Sequence, residues 1–118
     1  MAIASLIAVA YVAVLHVGIM VLEMFLWTKP YGLRAFGNTP ESAKASAKLA
    51  ANQGLYNGFL AAGLFWALTT PENARGITLF FLGCVMVAGV YGGITAKRSI
   101  LVVQFLPAAI ATVLVLLT

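Results

Sequence analysis

The sequence predicts an all-α integral membrane protein built as an up-down bundle of four helices, and three observations carry that prediction. Of 118 residues, 63% are hydrophobic and 8% charged, where a soluble domain carries roughly 25% charged residues. Four segments, at about 2–27, 49–69, 74–95 and 99–117, approach the roughly 20 mainly apolar residues with which a helix crosses a bilayer. The connections between them are short, which favours antiparallel neighbours. The chain reads as one domain over 1–118.

The same arithmetic excludes other classes. Disorder requires few apolar residues. Cys84 is the only cysteine and His16 the only histidine, so neither a disulfide framework nor a Cys/His metal site is expected, and no cofactor is implied. The net charge of +4 comes from seven Lys and Arg residues. They gather in the connections, which reads as membrane topology and not as a nucleic-acid surface.

The first span, interrupted by His16 and Glu23, lacks a basic start and is too long and polar for a cleaved signal peptide. It reads as a retained helix. Thr28–Pro40 reads as a loop, closed by a helix start: Thr39 as cap, Pro40 at the first helical position and Glu41 at the positive helix end. The second helix opens with a polar, alanine-rich stretch up to Lys48 before its span. Thr69–Asn73 ends it and leads into the third span. Lys97-Arg98 marks a tight turn, and the fourth span carries Pro107, which membrane helices accommodate by local adjustment.

Basic residues set the orientation. Connection 28–48 holds Lys29, Arg34, Lys44 and Lys48, and connection 97–98 holds Lys97 and Arg98, against Arg75 alone on the other side. Positive residues favour the cytoplasm. The expectation is a multi-pass inner-membrane protein with both termini outside and these two connections cytoplasmic. Trp27, Lys29 and Tyr31 make an interfacial anchor.

Ionisable residues inside a span are functional candidates by default. His16 and Glu23, seven residues apart, share one helix face about 10 Å apart along the axis. They are the candidate acid/base pair. The second span carries Asn52, Gln53, Tyr56 and Asn57, with Gln53–Asn57 and Asn52–Tyr56 at the spacing of facing neighbours. Tyr91 on the third span and Gln104 on the fourth complete the candidate ligand-binding set. All these groups except His16 fall toward the cytoplasmic ends of their helices, while 60–68, 77–87 and 108–117 are almost featureless. The expectation is a polar cavity closed outward, not a continuous pore, whose lining is polar throughout. The competing reading is structural: polar side chains also hold membrane helices together, at about 0.6 kcal/mol per contact. Cys84 reads as a small buried apolar residue. The small-residue pairs Gly54/Gly58 and Gly89/Gly93 read as close-packing positions, within the bundle or between the subunits of a homo-oligomer.

The run His16-x6-Glu23-x3-Trp27, the later Phe36-Gly37, and the block Ala50-Ala51-Asn52-Gln53-Gly54-Leu55-Tyr56-Asn57-Gly58 resemble the small bacterial membrane proteins grouped as domain of unknown function 1304. The resemblance covers essentially the whole chain. It implies a four-span inner-membrane protein and brings no activity. A single helix, with Lys48 four residues before Asn52, is similar to the second helix of the membrane-associated eicosanoid and glutathione metabolism proteins. Those have arginine where Lys48 stands and glutamate where Leu55 stands.

Three functions remain open. The first is binding or acid/base processing of a lipophilic small molecule, with Glu23 or His16 exchanging the proton and the amides and tyrosines orienting an oxygen. The second is a small proton-coupled transporter around Glu23, similar in outline to the small multidrug exporters. The third is a non-catalytic accessory subunit. Membrane lipids, a lipophilic ligand and a second copy are the expected partners; nucleic acid is not.

Overall fold

The computed structural model describes residues 1–118, and the chain is all-α with no strand. Five α-helices follow in order: α1 (Ile3–Phe25), α2 (Pro30–Phe36), α3 (Pro40–Thr69), α4 (Ala74–Thr95) and α5 (Leu106–Leu117). A 3-10 turn, Pro71–Asn73, leads into α4, and a π-helical segment, Leu101–Phe105, leads into α5. Two helical stretches, Ile3–Phe25 and Pro71–Thr95, are long and apolar enough to cross a membrane. Leu101–Leu117 is a shorter apolar helix. Helix α3 is the longest at 30 residues, but Asn52, Gln53 and Asn57 dilute its apolar run.

Local chemistry explains where these helices start and stop. Thr39 Oγ1 accepts a hydrogen bond from the Ser42 N–H at 3.1 Å, and so caps α3 ahead of Pro40. The segment expected as a loop carries α2. Pro30 starts that helix, and Gly37 ends it in the left-handed region at φ 67°, a conformation that glycine adopts without a Cβ clash. Seven residues are too few to show a helical period in sequence.

Pro107 has no N–H to offer the Val103 carbonyl four residues back. The chain widens just before it. The Leu106 N–H donates to the Leu101 carbonyl, five residues back, and the π turn takes up the mismatch.

The chain forms two compact units, Met1–Val14 with Leu60–Thr118, and Leu15–Phe59. The first has a core of Val9, Val12, Leu64, Leu82, Val85 and Val115, closed by Ala13, Ala108 and Ala111. The alanines let helix surfaces approach, so packing and not side-chain bulk fills the space. Gly89 of α4 lies against the backbone of the π segment: a Cβ there would stand 2.9 Å from the Phe105 nitrogen. Two polar side chains of this unit reach a helix end. Ser5 Oγ donates to the Leu114 carbonyl at 3.0 Å, and Arg75 Nη1 donates to the Val115 carbonyl at 2.8 Å. Both reach carbonyls in the last turn of α5, where the regular helix bonds run out; the Val115 carbonyl also accepts the Thr118 N–H at 3.3 Å.

Leu82 is fully buried in this core. Leu82→Ala is expected to lower stability by about 2 kcal/mol or more, because α4 cannot collapse into the void. Denaturant unfolding of the purified protein followed by circular dichroism measures it. A change inside about 0.5 kcal/mol, the range of surface substitutions, would show that this packing does not limit stability.

Candidate functional site

The second unit, Leu15–Phe59, holds the polar centre. Near the C-terminal end of α1, Glu23 is 8% exposed. Its Oε1 accepts a hydrogen bond from Asn57 Nδ2 of α3 at 2.6 Å. A buried carboxyl without a donor would be strongly unfavourable, and this amide supplies one across the helix–helix contact.

The asparagine side chain is short, so the helices must come close for the bond to form. Gly54, one turn before Asn57, makes this possible. A Cβ at Gly54 would stand 2.7 Å from Met24 Cγ, 3.0 Å from Glu23 Cβ and 3.2 Å from the Met20 carbonyl oxygen. At Gly58 it would meet the Met20 sulfur at 2.7 Å. Two matched triads therefore face each other: Met20, Glu23 and Met24 on α1, and Gly54, Asn57 and Gly58 on α3. Each has the i, i+3, i+4 spacing of one helical face. The flexible methionines fill what the glycines leave open.

A second contact lies just beyond the end of α1, two residues past Phe25. The Trp27 indole Nε1 donates to Ser46 Oγ at 3.1 Å, while Ser46 Oγ donates to the Ser42 carbonyl at 2.8 Å. The Trp27 ring packs on Phe36 with centroids 4.7 Å apart. Gly32 of α2 is buried against the Leu26 carbonyl.

The sequence candidates thus separate. Glu23 and Asn57 are brought together. His16 is fully buried on α1, two turns before Glu23 on the same face. Asn52, Gln53 and Tyr56 are exposed on α3, Tyr56 in an edge-on ring contact with Phe59. Tyr91 is exposed on α4 and Gln104 is half-buried in the π segment; both belong to the other unit.

Met20, Met24 and Ser46 were not among the predicted site residues, whereas Gly54 and Gly58 hold the close-packing positions expected of them. The signal for the methionines is the matched i, i+3, i+4 triads. Nothing in the sequence pairs Trp27 with Ser46. No three His, Cys, Asp or Glu side chains gather to hold a metal ion. A surface concavity of about 360 Å³ lies on the first unit, lined by Pro71, Glu72, Asn73, Arg75 and Thr118 among others, and contains none of the predicted residues.

Fold and site together define a helical protein with membrane-length apolar helices and one carboxyl buried against an amide. The family model described as Protein of unknown function (DUF1304) matches residues 10–116, and the chain belongs to that family. It is also similar to the Uncharacterized protein YpaA of Lactococcus lactis subsp. lactis (strain IL1403), at 30% identity over 88 residues, covering 73% of this chain and 74% of that protein. No solved structure matches the chain.

Gly54→Ala tests the close approach. The added methyl meets Glu23 Cβ and backbone as well as a movable methionine, so the helices are expected to separate at a cost of about 1–3 kcal/mol. Thermal unfolding measures that loss. An unchanged or raised midpoint would mean that α1 and α3 do not meet at this glycine.

Proposed function

We propose that the protein is a four-span inner-membrane protein in which Glu23 and Asn57 form a binding and acid/base centre for a lipophilic small molecule. Glu23 exchanges the proton, and Asn57 positions the carboxyl. The observation that carries this reading is the buried carboxyl–amide hydrogen bond between α1 and α3, at 2.6 Å.

The membrane setting is supported by where the apolar surface lies. In both membrane-length helices only 28% of the apolar window is buried within the chain. A core helix of a soluble protein is mostly buried, and large exposed apolar patches mark lipid or partner contact. Ile3, Ile7, Val14, Phe80, Val87 and Ile94 all turn outward. Lys29, Arg34, Lys44 and Lys48 are exposed in connection 28–48, and Lys97 and Arg98 in the turn after α4. Their excess favours the cytoplasmic side for both.

The chemistry follows from the carboxyl. A general acid or base acts within hydrogen-bond reach of the proton it moves, and the Asn57 amide holds Oε1 in one orientation. His16 on the same helix face is a second proton-exchanging group. A hydroxyl or amine on an otherwise apolar molecule is the matching ligand chemistry. A proton-coupled transporter would use the same carboxyl, and transport between compartments without turnover would distinguish it.

The test uses dicyclohexylcarbodiimide, an apolar reagent that adds to carboxylic acids, on the full chain in phosphatidylcholine–phosphatidylglycerol vesicles. Peptide mass spectrometry is expected to find the adduct on Glu23, and Glu23→Gln to remove it with helix content unchanged. Adducts confined to Glu41 and Glu72 would overturn the site. Cysteines introduced at Lys44 and Lys97 in a Cys84→Ala background are expected to react with an impermeant maleimide in spheroplasts only after permeabilisation. Labelling of intact spheroplasts would overturn the topology.

A further inference from the structure

The geometry points to a second copy of this chain as the partner of the outward face of α3, joined across a two-fold axis through Asn52, Gln53 and Tyr56. This inference rests on the membrane setting proposed above and is independent of any chemistry at Glu23.

Within the second unit, α3 has two different faces. Ala43, Ala50 and Gly54 are buried, and Asn57 and Gly58 are half-buried; Gly54, Asn57 and Gly58 meet α1. Leu49, Asn52, Gln53, Tyr56 and Phe59 are exposed. Asn52 and Tyr56 each lie about 160° around the helix from Gly54, so they point away from that contact.

Asn57 has its partner in Glu23. The side chains of Asn52 and Gln53 make no hydrogen bond within the chain. Each amide carries two N–H donors and a carbonyl acceptor, and hydrocarbon satisfies neither. Lipid tails are therefore poor neighbours for this face. From Leu49 to Phe59 the helix carries no charge, so an ionic partner has nothing to match. What the face offers is self-complementary: an amide donates and accepts at once, and pairs with its own copy across a two-fold axis. Lys48 is exposed four residues before Asn52. Tyr56 lies about 12 Å further along the helix than Lys48, so the face runs inward from the charged end. The Tyr56–Phe59 ring pair, with centroids 5.9 Å apart, gives it an apolar flank.

Cross-linking tests this with the full chain in phosphatidylcholine–phosphatidylglycerol vesicles. Single cysteines replace Asn52, Gln53 or Tyr56 in a Cys84→Ala background. Val14 and Val113, 61% and 53% exposed against 58% for Tyr56, serve as controls at similar exposure. Copper–phenanthroline oxidation is expected to give disulfide-linked dimers at 52 and 56 at several times the control yield. A second measurement avoids cysteine at the interface. Energy transfer between differently labelled copies is expected to fall several-fold in the Asn52→Leu/Gln53→Leu variant, with helix content unchanged.

Equal yields at all five positions would mean random collision and overturn the proposal. So would unchanged energy transfer in the leucine variant. Monomeric Asn52→Cys protein that reacts freely with a water-soluble maleimide would assign this face to water and headgroups, and also overturn it. Alkaline extraction of membranes separates the two readings. Release of the chain into the wash would remove the membrane setting itself, whereas membrane-retained protein without specific cross-links would remove only the dimer.

Discussion

A carboxyl group enclosed between two helices needs a hydrogen-bond donor at contact distance, and the second unit is arranged around that requirement. Asn57 answers it at 2.6 Å. Because its side chain is short, the amide reaches Glu23 only where the helices nearly touch, and so the position one turn away is Gly54. The methionines opposite, Met20 and Met24, adapt to the remaining space. Trp27 and Ser46 form a second tie. As the numbers rise from 23 on α1 to 27 just beyond its end, those of their partners fall from 57 to 46 on α3. That order belongs to antiparallel helices. Two ties at different heights fix both the separation and the rotation of α1 against α3 in this unit.

The first unit solves a different problem with the same rules. Its hydrophobic cluster is built of aliphatic side chains, and the buried Thr78 hydroxyl of this unit has no hydrogen-bond partner. Hydrogen bonds are made at the helix ends instead, where Ser5 and Arg75 reach the last carbonyls of α5. Pro107 creates one more missing donor, and the π segment before it redistributes the backbone bonds over a wider turn. Gly89 then allows α4 to lie against that segment's backbone.

Much of this was legible in the sequence, and the reasons are physical. Apolar runs announce α1 and α4 because about 20 mainly apolar residues stand out from their polar flanks. The Thr39-Pro40 start of α3 is readable because capping is a local interaction between residues three apart. Glu23 and the Asn52–Asn57 cluster stand out because amides and a carboxyl are rare in such company. The choice of Asn57 over Asn52 or Gln53 as partner of Glu23 was not legible. It depends on how far α3 is rotated about its axis, and that rotation is set by a contact, Gly54 on Met24 and Glu23, which exists only after folding. Helix α2 escaped for the opposite reason: it is too short to carry a period, and Pro30 and Gly37 read equally well as loop residues.

In the proposed acid/base reading, the identity of residue 23 is what distinguishes a working site from helix glue. As an acceptor for the Asn57 N–H, a glutamine would serve as well as a glutamate: its carbonyl oxygen stands at the same reach and angle. It would also avoid placing an ionisable group where the ionised form is poorly solvated, which membrane helices generally avoid. Polar glue is thus available from an amide pair alone, at about 0.6 kcal/mol, without that penalty. What glutamate adds to the same geometry is a proton that can leave and return. The rest of the contact — close-packed glycines, adaptable methionines, an amide fixing Oε1 — holds that proton's site in a defined place between two helices. A structural role accounts for Asn57, Gly54 and Gly58; under the proposed acid/base role, proton exchange is the physical reason for a carboxyl and not an amide at position 23.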